Sequence, residues 1–256
     1  MSPQERAAIG AARDRAQKIA DELTSLLHRE EAGLPPLPAS PPTRPPAGGL
    51  QKPDAFFDHL SATSVLGPDL TDDERTGCNA ILRACAGVMP LSWAAYTLAT
   101  AYHETAHTMQ PIKEYGGEAY FRRMYDIQGQ RPAKARELGN DQPGDGARYA
   151  GRGYPQLTGK ANYRKATVEL RKIGIDVDLV AEPDLAMRRD VAAAIMVRGM
   201  VDGWFTGKRL NDFIPAAAQR KHYVAARRII NGTDKADLIA GYALVFEAAL
   251  KAGDWR

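Results

Sequence analysis

A proline-rich segment between Gly33 and Leu50 constrains the fold of this chain more than any other feature. Proline lacks an amide donor and fixes one backbone dihedral, so the run LPPLPASPPTRPPA fits neither a helix nor the interior of a sheet. We expect an extended polyproline spacer. The chain is therefore predicted to consist of an N-terminal segment (residues 1–32), a linker (residues 33–50) and one domain (residues 51–256).

The N-terminal segment is predicted to contain a helix over residues 3–30. Its apolar residues recur at spacings of three and four, and they are Ile9, Ala12, Ala16, Ile19, Leu23 and Leu26. An isolated helix of this length is marginally stable in water, so it needs a partner surface. We expect it to dock on the main domain, with a protein partner or self-association as the alternative.

Composition limits the classes of protein without selecting one. The chain has 256 residues, of which 44% are hydrophobic, enough for a sizeable core. A net charge of +3 suits an anionic cell-wall polymer or a nucleic acid. We predict no nucleic-acid partner, because the basic pairs Arg188–Arg189 and Arg220–Lys221 are best explained as solvated helix faces and no recognition motif accompanies them.

Export and redox state are constrained by what the sequence does not contain. No apolar run approaches the ~18 residues of a transmembrane helix. The N-terminus lacks the apolar core of a signal peptide, so we expect synthesis in the cytoplasm without one. Cys78 and Cys85 would lie about 10 Å apart along one helix, too far for a disulfide, and are expected to be reduced and buried.

After the linker the pattern is predominantly helical. Thr71 followed by three acids is a strong N-cap, and Gly87 is a suitable stop. Residues 111–155 are instead predicted to form loops with short strands. The predicted helices cover residues 71–86, 90–104, 160–172, 184–201, 216–230 and 235–252.

The segment His103–His107, HETAH, supports two incompatible kinds of chemistry. On a continuous helix, the imidazoles of His103 and His107 would lie one turn apart and could bind zinc, with Glu118 or Asp126 as a third ligand. Alternatively, Glu104 ends an apolar helix, where partial burial would favour its protonated form and make it a proton donor.

Glycoside hydrolysis needs a second carboxylate across the scissile bond. The candidates are Glu114, Glu118 and Asp126, which follow Glu104 in a glycine-containing stretch that could form the opposite wall of a cleft. The sequence does not decide which of the three faces Glu104.

Residues 148–163, RYAGRGYPQLTGKANY, combine small, neutral polar and aromatic residues in a way that suits sugars. Gly151 and Gly153 allow close approach of the backbone. Arg152 is counted among the substrate-binding candidates, although pairing with a carboxylate that stabilises the fold is favoured for it. The neutral donors and flat rings are Gln156, Thr158, Asn162, Tyr149, Tyr154 and Tyr163.

Three segments together resemble family 19 glycoside hydrolases, the group of plant-type chitinases and bacteriophage endolysins. Residues 101–106 resemble the helix end that carries the catalytic acid of the family. Residues 149–163 resemble its Y-x-GRG-x-x-QLT/S-x-x-x-NY signature, and residues 228–232 its R-I-I-N-G segment. The order of the segments also matches. The long disulfide-bearing inserts of the plant enzymes are absent, which favours the endolysin branch.

The resemblance implies a mainly α, lysozyme-like catalytic domain with two lobes, a short β-hairpin and loop region, and a central cleft. It implies Glu104 as general acid and Glu114 as the second carboxylate, with Asp126 and Glu118 as alternates. No cofactor and no metal are implied. The implied substrate-cleft residues are Gln156, Thr158, Asn162 and Asn231. The remaining substrate-binding candidates are His103, Tyr149, Arg152 and Tyr163.

The expected activity is endolysin-type cleavage of β-1,4 bonds in the peptidoglycan backbone. The carboxyl groups of Glu104 and Glu114 should then lie about 6.5 to 9.5 Å apart for an inverting mechanism, whereas about 5 Å would indicate a retaining one. A chitinase, an H-E-x-x-H zinc metallopeptidase and a glycan-binding pseudoenzyme are the alternatives. We expect action at the bacterial cell wall by a phage-encoded or otherwise delivered protein.

Overall fold

The computed structural model describes residues 48–256. The helix predicted over residues 3–30, the partner contact attributed to it and the linker up to residue 47 lie outside the described residues.

The described part of the chain is mainly α-helical, as the sequence predicts. Two short strands, β1 (Ile112–Lys113) and β2 (Arg152–Gly153), form its two-stranded sheet, and 3-10 helices cover Pro183–Met187, Leu210–Asp212 and Arg227–Ile229. The α-helices in chain order are α1 (Pro53–Ser61), α2 (Asp72–Cys85), α3 (Leu91–Glu104), α4 (Glu118–Tyr125), α5 (Pro132–Glu137), α6 (Asp145–Arg148), α7 (Lys160–Lys172), α8 (Arg189–Asp202), α9 (Arg220–Ala226) and α10 (Ala236–Ala252).

The ends of the longer helices follow the signals in the sequence. Thr71 begins α2 with a capping box, in which its hydroxyl accepts from the Glu74 amide while the Glu74 carboxylate accepts from the Thr71 amide. Gly203 ends α8 in the left-handed region, at φ 75°. Local capping therefore fixes where these helices begin and end.

Three regions differ from the sequence prediction. The stretch predicted as loops and strands also contains α4, α5 and α6, which are too short to show a helical period. The helix predicted at 184–201 begins as a 3-10 turn and is interrupted at Arg188, whose ψ is 131°. The helix predicted at 216–230 covers only α9 and a following 3-10 turn.

The sheet joins two distant parts of the chain. Ile112 pairs with Gly153 and Lys113 with Arg152 in an antiparallel register. Arg152 also bridges to Leu157, so the chain turns back on itself directly after β2. The predicted hairpin and loop region is confirmed, and it brings residues 149–158 beside the segment that follows α3.

Two hydrophobic clusters share one helix. The main cluster surrounds α3 and α10, while the second cluster surrounds α7 and residues 177–186. Helix α8 contributes Ala193 and Met196 to the main cluster, and Ala194 and Ile195 to the second. A helix that packs on both faces must be apolar all round, which explains the AAAIMV run.

Three smaller features concern the cysteines, the contact between the two ends of the domain, and the length of the helices. Cys78 and Cys85 are free and buried, as expected, and burial raises the pKa of both thiols. Leu50 pairs with Trp255 in an isolated bridge, and the Trp255 indole donates to the Met89 carbonyl. None of the helices described has both the length and the apolar character needed to cross a membrane.

Candidate active site

Helix α3 presents Glu104 at its C-terminal end. Ten of its residues between Ser92 and Tyr102 are buried, so the helix is anchored in the main cluster. The Glu104 side chain emerges where the helix ends and is 20% exposed. A carboxyl group is therefore held by a rigid element at the border between core and solvent.

The Glu104 carboxylate is paired with a buried arginine. Arg227 is 1% exposed, and its Nη1 donates to Glu104 Oε1 at 2.5 Å. Its Nε donates to the Asp234 carbonyl at 2.8 Å, which fixes the guanidinium plane. The pair therefore places a fixed cation in direct contact with the carboxylate at the end of α3.

Sequence reasoning missed Arg227, because the R-I-I-N-G resemblance assigns the motif to Arg228. Arg228 is exposed, and its guanidinium contacts only the nearby Ala225 carbonyl, at 3.4 Å. Helical spacing was the available signal: Arg227 lies four residues after the fully buried Tyr223. A buried arginine requires a carboxylate partner.

The chain after Glu104 leaves the helix abruptly. Ala106, His107 and Met109 all have left-handed backbones, with φ of 50°, 73° and 54°. The buried hydroxyl of Thr105 accepts from the Met109 amide at 3.0 Å and secures this loop. Gly77 of α2 makes room for it, since a Cβ there would clash with the Met109 carbonyl.

This loop removes the geometric basis of the zinc interpretation. His107 does not continue α3 but stacks on Tyr102 with ring centroids 4.3 Å apart, and its Nε2 lies 3.4 Å from the Tyr242 hydroxyl. The H-E-x-x-H motif needs both imidazoles on one continuous helix. Within residues 48–256, no three His, Cys, Asp or Glu side chains are grouped to hold a metal ion.

His103 lies beside Glu104 at the end of α3 and is partly buried. Burial lowers the pKa of its imidazole, and the neighbouring Glu104 charge opposes that shift. The ring is therefore mostly neutral at pH 7 and contributes hydrogen-bonding capacity rather than charge.

Glu114 follows β1 and is held by contacts on both carboxylate oxygens. Oε1 accepts from the Tyr125 hydroxyl at 2.8 Å, and Oε2 accepts from the Gly151 amide at 3.0 Å. Burial and this hydrogen bond raise the pKa of Tyr125, so its phenol remains a donor. The Glu114 amide also donates to the Gly151 carbonyl, at 2.8 Å.

Gly151 is the point at which three predicted residues converge. A Cβ on Gly151 would lie 2.8 Å from Gln156 Oε1, 3.0 Å from Glu114 Oε2 and 3.1 Å from Thr158 Oγ1. Only a glycine lets three oxygen atoms approach the backbone this closely. The carboxylate, amide and hydroxyl therefore form one polar cluster.

The turn after β2 orients this cluster. Gln156 has a left-handed backbone, φ 55°, and its Nε2 donates to the Ile112 and Gly153 carbonyls at 3.0 and 3.2 Å. Its amide oxygen is thereby directed towards Gly151. Thr158 Oγ1 donates to the Gln156 carbonyl, and Asn162 Nδ2 donates to the Thr158 carbonyl at 2.7 Å.

The tyrosines and Arg152 of this segment, expected to bind sugar, have their partners within the fold. Tyr163 is 0% exposed and Tyr149 is buried beside it in the second cluster, so neither ring presents a face to a sugar. Arg152 is also buried, and its Nε donates to Asp184 Oδ1 at 2.8 Å. The carboxylate pairing favoured from sequence is thus present. Tyr154 is likewise fully buried.

The two alternate carboxylates, Asp126 and Glu118, both contact other parts of the protein. Asp126 is buried, and its Oδ2 accepts from the Gly144 amide at 2.7 Å, which ties the end of α4 to the loop before α6. Glu118 lies at the exposed start of α4 in an i,i+4 ion pair with Arg122. Asn231 is exposed directly after the 3-10 turn that contains Arg227.

The polar residues described above form two groups. Glu104, with His103 and Arg227, lies at the end of α3. Glu114, with Gln156 and Thr158, surrounds Gly151. The two carboxylates have separate sets of partners with no member in common.

Comparisons with known proteins give distant likenesses only. No protein-family model and no curated protein matches the chain. Among solved structures, it is similar to a bacterial family 19 chitinase at 19% identity, covering 80% of this chain and 96% of that one with a TM-score of 0.42. Chitinase C from Streptomyces griseus HUT6037 is similar at 17% identity, with 83% and 80% coverage and a TM-score of 0.43. A mutant of chitinase C gives 19% identity, 80% and 78% coverage and a TM-score of 0.42.

Proposed function

We propose that this protein is a glycoside hydrolase that cleaves β-1,4 bonds of the peptidoglycan backbone by acid–base catalysis. The observation that carries the proposal is the convergence of Glu114, Gln156 and Thr158 on Gly151, since it joins a carboxylate to two neutral groups that can hold a water molecule. A second carboxylate, Glu104, at the end of a rigid buried helix supplies the other half of the chemistry.

Glu104 acts as the general acid in this proposal. Its proton passes to the glycosidic oxygen as the bond to the sugar carbon breaks. Arg227 lies 2.5 Å from the carboxylate oxygen and stabilises the negative charge that remains after the proton has left. His103, which is neutral, adds a hydrogen-bonding group beside the acid without a competing positive charge.

Glu114 acts as the general base. It removes a proton from a water molecule while the water oxygen attacks the sugar carbon from the opposite face, which inverts the configuration. Tyr125 and the Gly151 amide orient the carboxylate, and Gln156 and Thr158 supply hydrogen bonds to the water. The separation of 6.5 to 9.5 Å that inversion requires stays a prediction.

Peptidoglycan is favoured over chitin as the substrate on the sequence of the catalytic region. The spacing from Glu104 to Glu114 resembles the endolysin branch, and both cysteines are free, so the chain has no disulfide-bearing inserts of the plant type in its described part. Chitin is the second candidate because the same residues would act on any β-1,4-linked N-acetylhexosamine polymer. The site of action would be the bacterial cell wall, reached as a phage-encoded or otherwise delivered protein.

Product analysis tests the activity directly. Purified peptidoglycan and soluble chitin oligomers are incubated with the wild type, and the fragments are identified by mass and by the anomeric configuration of the new reducing end. We expect peptidoglycan fragments whose new reducing end is initially the α-anomer. Release of peptides alone, or of no fragments from either polymer, would show that the proposed function is wrong.

Variants assign the two carboxylates. Glu104→Gln and Glu114→Gln should each lower kcat by about 10² to 10⁴, because each removes one proton-transfer group. Glu104→Gln also leaves the buried Arg227 without its counter-ion, so circular dichroism is used to verify that each variant is folded in the assay. Glu137→Gln, on the exposed face of α5, is the matched control and should retain full activity. Normal activity of Glu114→Gln with loss in Glu118→Gln or Asp126→Asn would transfer the base role to that residue.

A further inference from the structure

A surface depression of about 460 Å³ lies beside the strand that leads to Glu114. Its size is within the usual range for small-ligand sites. Glu104 is not part of its wall, so it is separate from the proposed acid. The wall consists of Lys113, Gly116, Glu118, Phe121, Gly144, Ala147 and Arg148.

The depression is connected to the Gly151 cluster through two aromatic rings. Phe121 stacks on Tyr125 with centroids 6.4 Å apart, and the Tyr125 hydroxyl donates to Glu114. Lys113 also directly precedes Glu114 in the chain. A group bound in the depression would therefore lie beside the proposed base, within reach of a branch on the same polymer.

The charge of the wall is positive. Glu118 is neutralised by Arg122, whose Nη2 lies 2.6 Å from its carboxylate. Arg148 donates to the Val180 and Ala181 carbonyls and to the Tyr149 hydroxyl, which are neutral acceptors. In residues 48–256, no hydrogen bond or ion pair of the Lys113 ammonium is seen. Among the described residues, neither cation is in direct contact with a carboxylate.

The surroundings of Lys113 also change the pKa of its ammonium group. Desolvation lowers the pKa of its ammonium, and the Arg152 charge lowers it further, against the opposing effect of Asp184. A perturbed pKa beside a surface depression is a common property of ligand-binding groups.

We propose that this depression binds a carboxylate on the side branch of the glycan, with Lys113 as its main electrostatic contact and Arg148 as the second cation. The inference rests on the proposed function and makes it more specific. In peptidoglycan, alternate sugars carry a lactyl ether whose carboxyl group is joined to a peptide. The peptide bears carboxylates, and removal of the peptide frees the lactyl carboxylate. Chitin has no such group, so the depression would select between the two candidate substrates.

The test compares three forms of one substrate. Peptidoglycan is used untreated, after amidase treatment that removes the peptide but leaves the lactyl carboxylate, and after coupling of its carboxylates to methylamine as neutral amides. For the wild type, kcat/KM on untreated material should exceed that on the amidated material by about tenfold, the value of one charged hydrogen bond. The amidase-treated form, in which the lactyl carboxyl is released from its amide bond to the peptide, identifies the source. A rate like untreated material indicates that the lactyl carboxylate also occupies the site, and a rate like amidated material indicates the peptide carboxylates alone.

Variants link the selectivity to the depression. Lys113→Gln should reduce the ratio of untreated to amidated rates to about one, and Lys113→Arg should keep it. Lys208→Gln makes the same charge change at an exposed lysine outside the depression and should leave the ratio as in the wild type. Ala147→Glu, which adds a negative charge to the wall, should lower the ratio without changing Lys113.

Two results would overturn the inference while leaving the proposed function intact. One is equal cleavage of untreated and amidated material by the wild type. The other is an unchanged ratio in Lys113→Gln. If the wild type cleaves no glycosidic bond in any of the three substrates, the proposed function itself fails instead.

Discussion

Glu104 and Arg227 show how a single buried residue controls the environment of a candidate catalytic group. The carboxylate is partly exposed, while the guanidinium is almost completely buried and bound to one carboxylate and one carbonyl. Removing one partner of a buried pair leaves an uncompensated charge. The pair therefore matters for stability as well as for the proposed chemistry.

Arg227→Met should destabilise the fold by about 3 kcal/mol, because Glu104 would lose its counter-ion and Met cannot replace the hydrogen bonds. Urea unfolding followed by circular dichroism measures the change in the free energy of unfolding. Arg228→Met is the matched control, since Arg228 is the exposed neighbour, and it should stay within about 0.5 kcal/mol of the wild type. A larger effect at Arg228 than at Arg227 would contradict the assignment of the buried pair.

At the scale of elements, β2 and the turn after it build the polar cluster. Backbone pairing with β1 brings Glu114 to Gly151, and the left-handed Gln156 turns its amide back towards the same point. No long helix or large cluster is needed for this arrangement. The close approach of the three side chains depends on residue 151 being a glycine, which has no side chain.

Gly151→Ala should lower kcat strongly while changing stability little. The new methyl group would lie 2.8 to 3.1 Å from the ends of three flexible side chains, which can move aside but would leave their positions around the proposed water. Activity on peptidoglycan and the melting temperature, measured together, separate the two effects. Gly117→Ala is the control, because a Cβ there meets nothing within 4 Å.

If Gly151→Ala retained full activity, the cluster around it would not be the catalytic site. If it lost activity only in proportion to unfolding, the effect would be structural. Gly117→Ala should behave as the wild type in both measurements.

The sequence predicts elements well where the signal is local. The Thr71 cap predicts the start of α2, and the GRG and QLT letters single out Gly151, Gln156 and Thr158. The short helices α4 to α6 escape prediction because none is long enough to show a period. The roles of Tyr149 and Tyr163 also escape it, since an aromatic ring suits a sugar face and a protein core equally, and only tertiary packing decides.

At the scale of the whole molecule, α8 connects the two hydrophobic clusters. Successive residues of its AAAIMV run face one cluster or the other. The main cluster anchors the helix that ends at Glu104, and the second contains Tyr149 and Leu157, which flank Gly151. The central cleft expected between two lobes stays a prediction.

A helix shared by both clusters should make the described domain unfold as one cooperative unit. Met196→Ala on the main face and Ile195→Ala on the second face should each cost about 2 to 5 kcal/mol. Tryptophan fluorescence and far-ultraviolet circular dichroism should still report one coincident transition for each variant. Separate transitions in Ile195→Ala would show that the second cluster unfolds independently.

Glu104 and the Gly151 cluster share no hydrogen-bond partner, and this has a thermodynamic consequence. A polymer held by both would bind only when the two sites are correctly assembled. The free energy of such binding adds to the free energy of folding, in proportion to the logarithm of ligand concentration over its dissociation constant. A bound polymer would in this way protect the protein from denaturation.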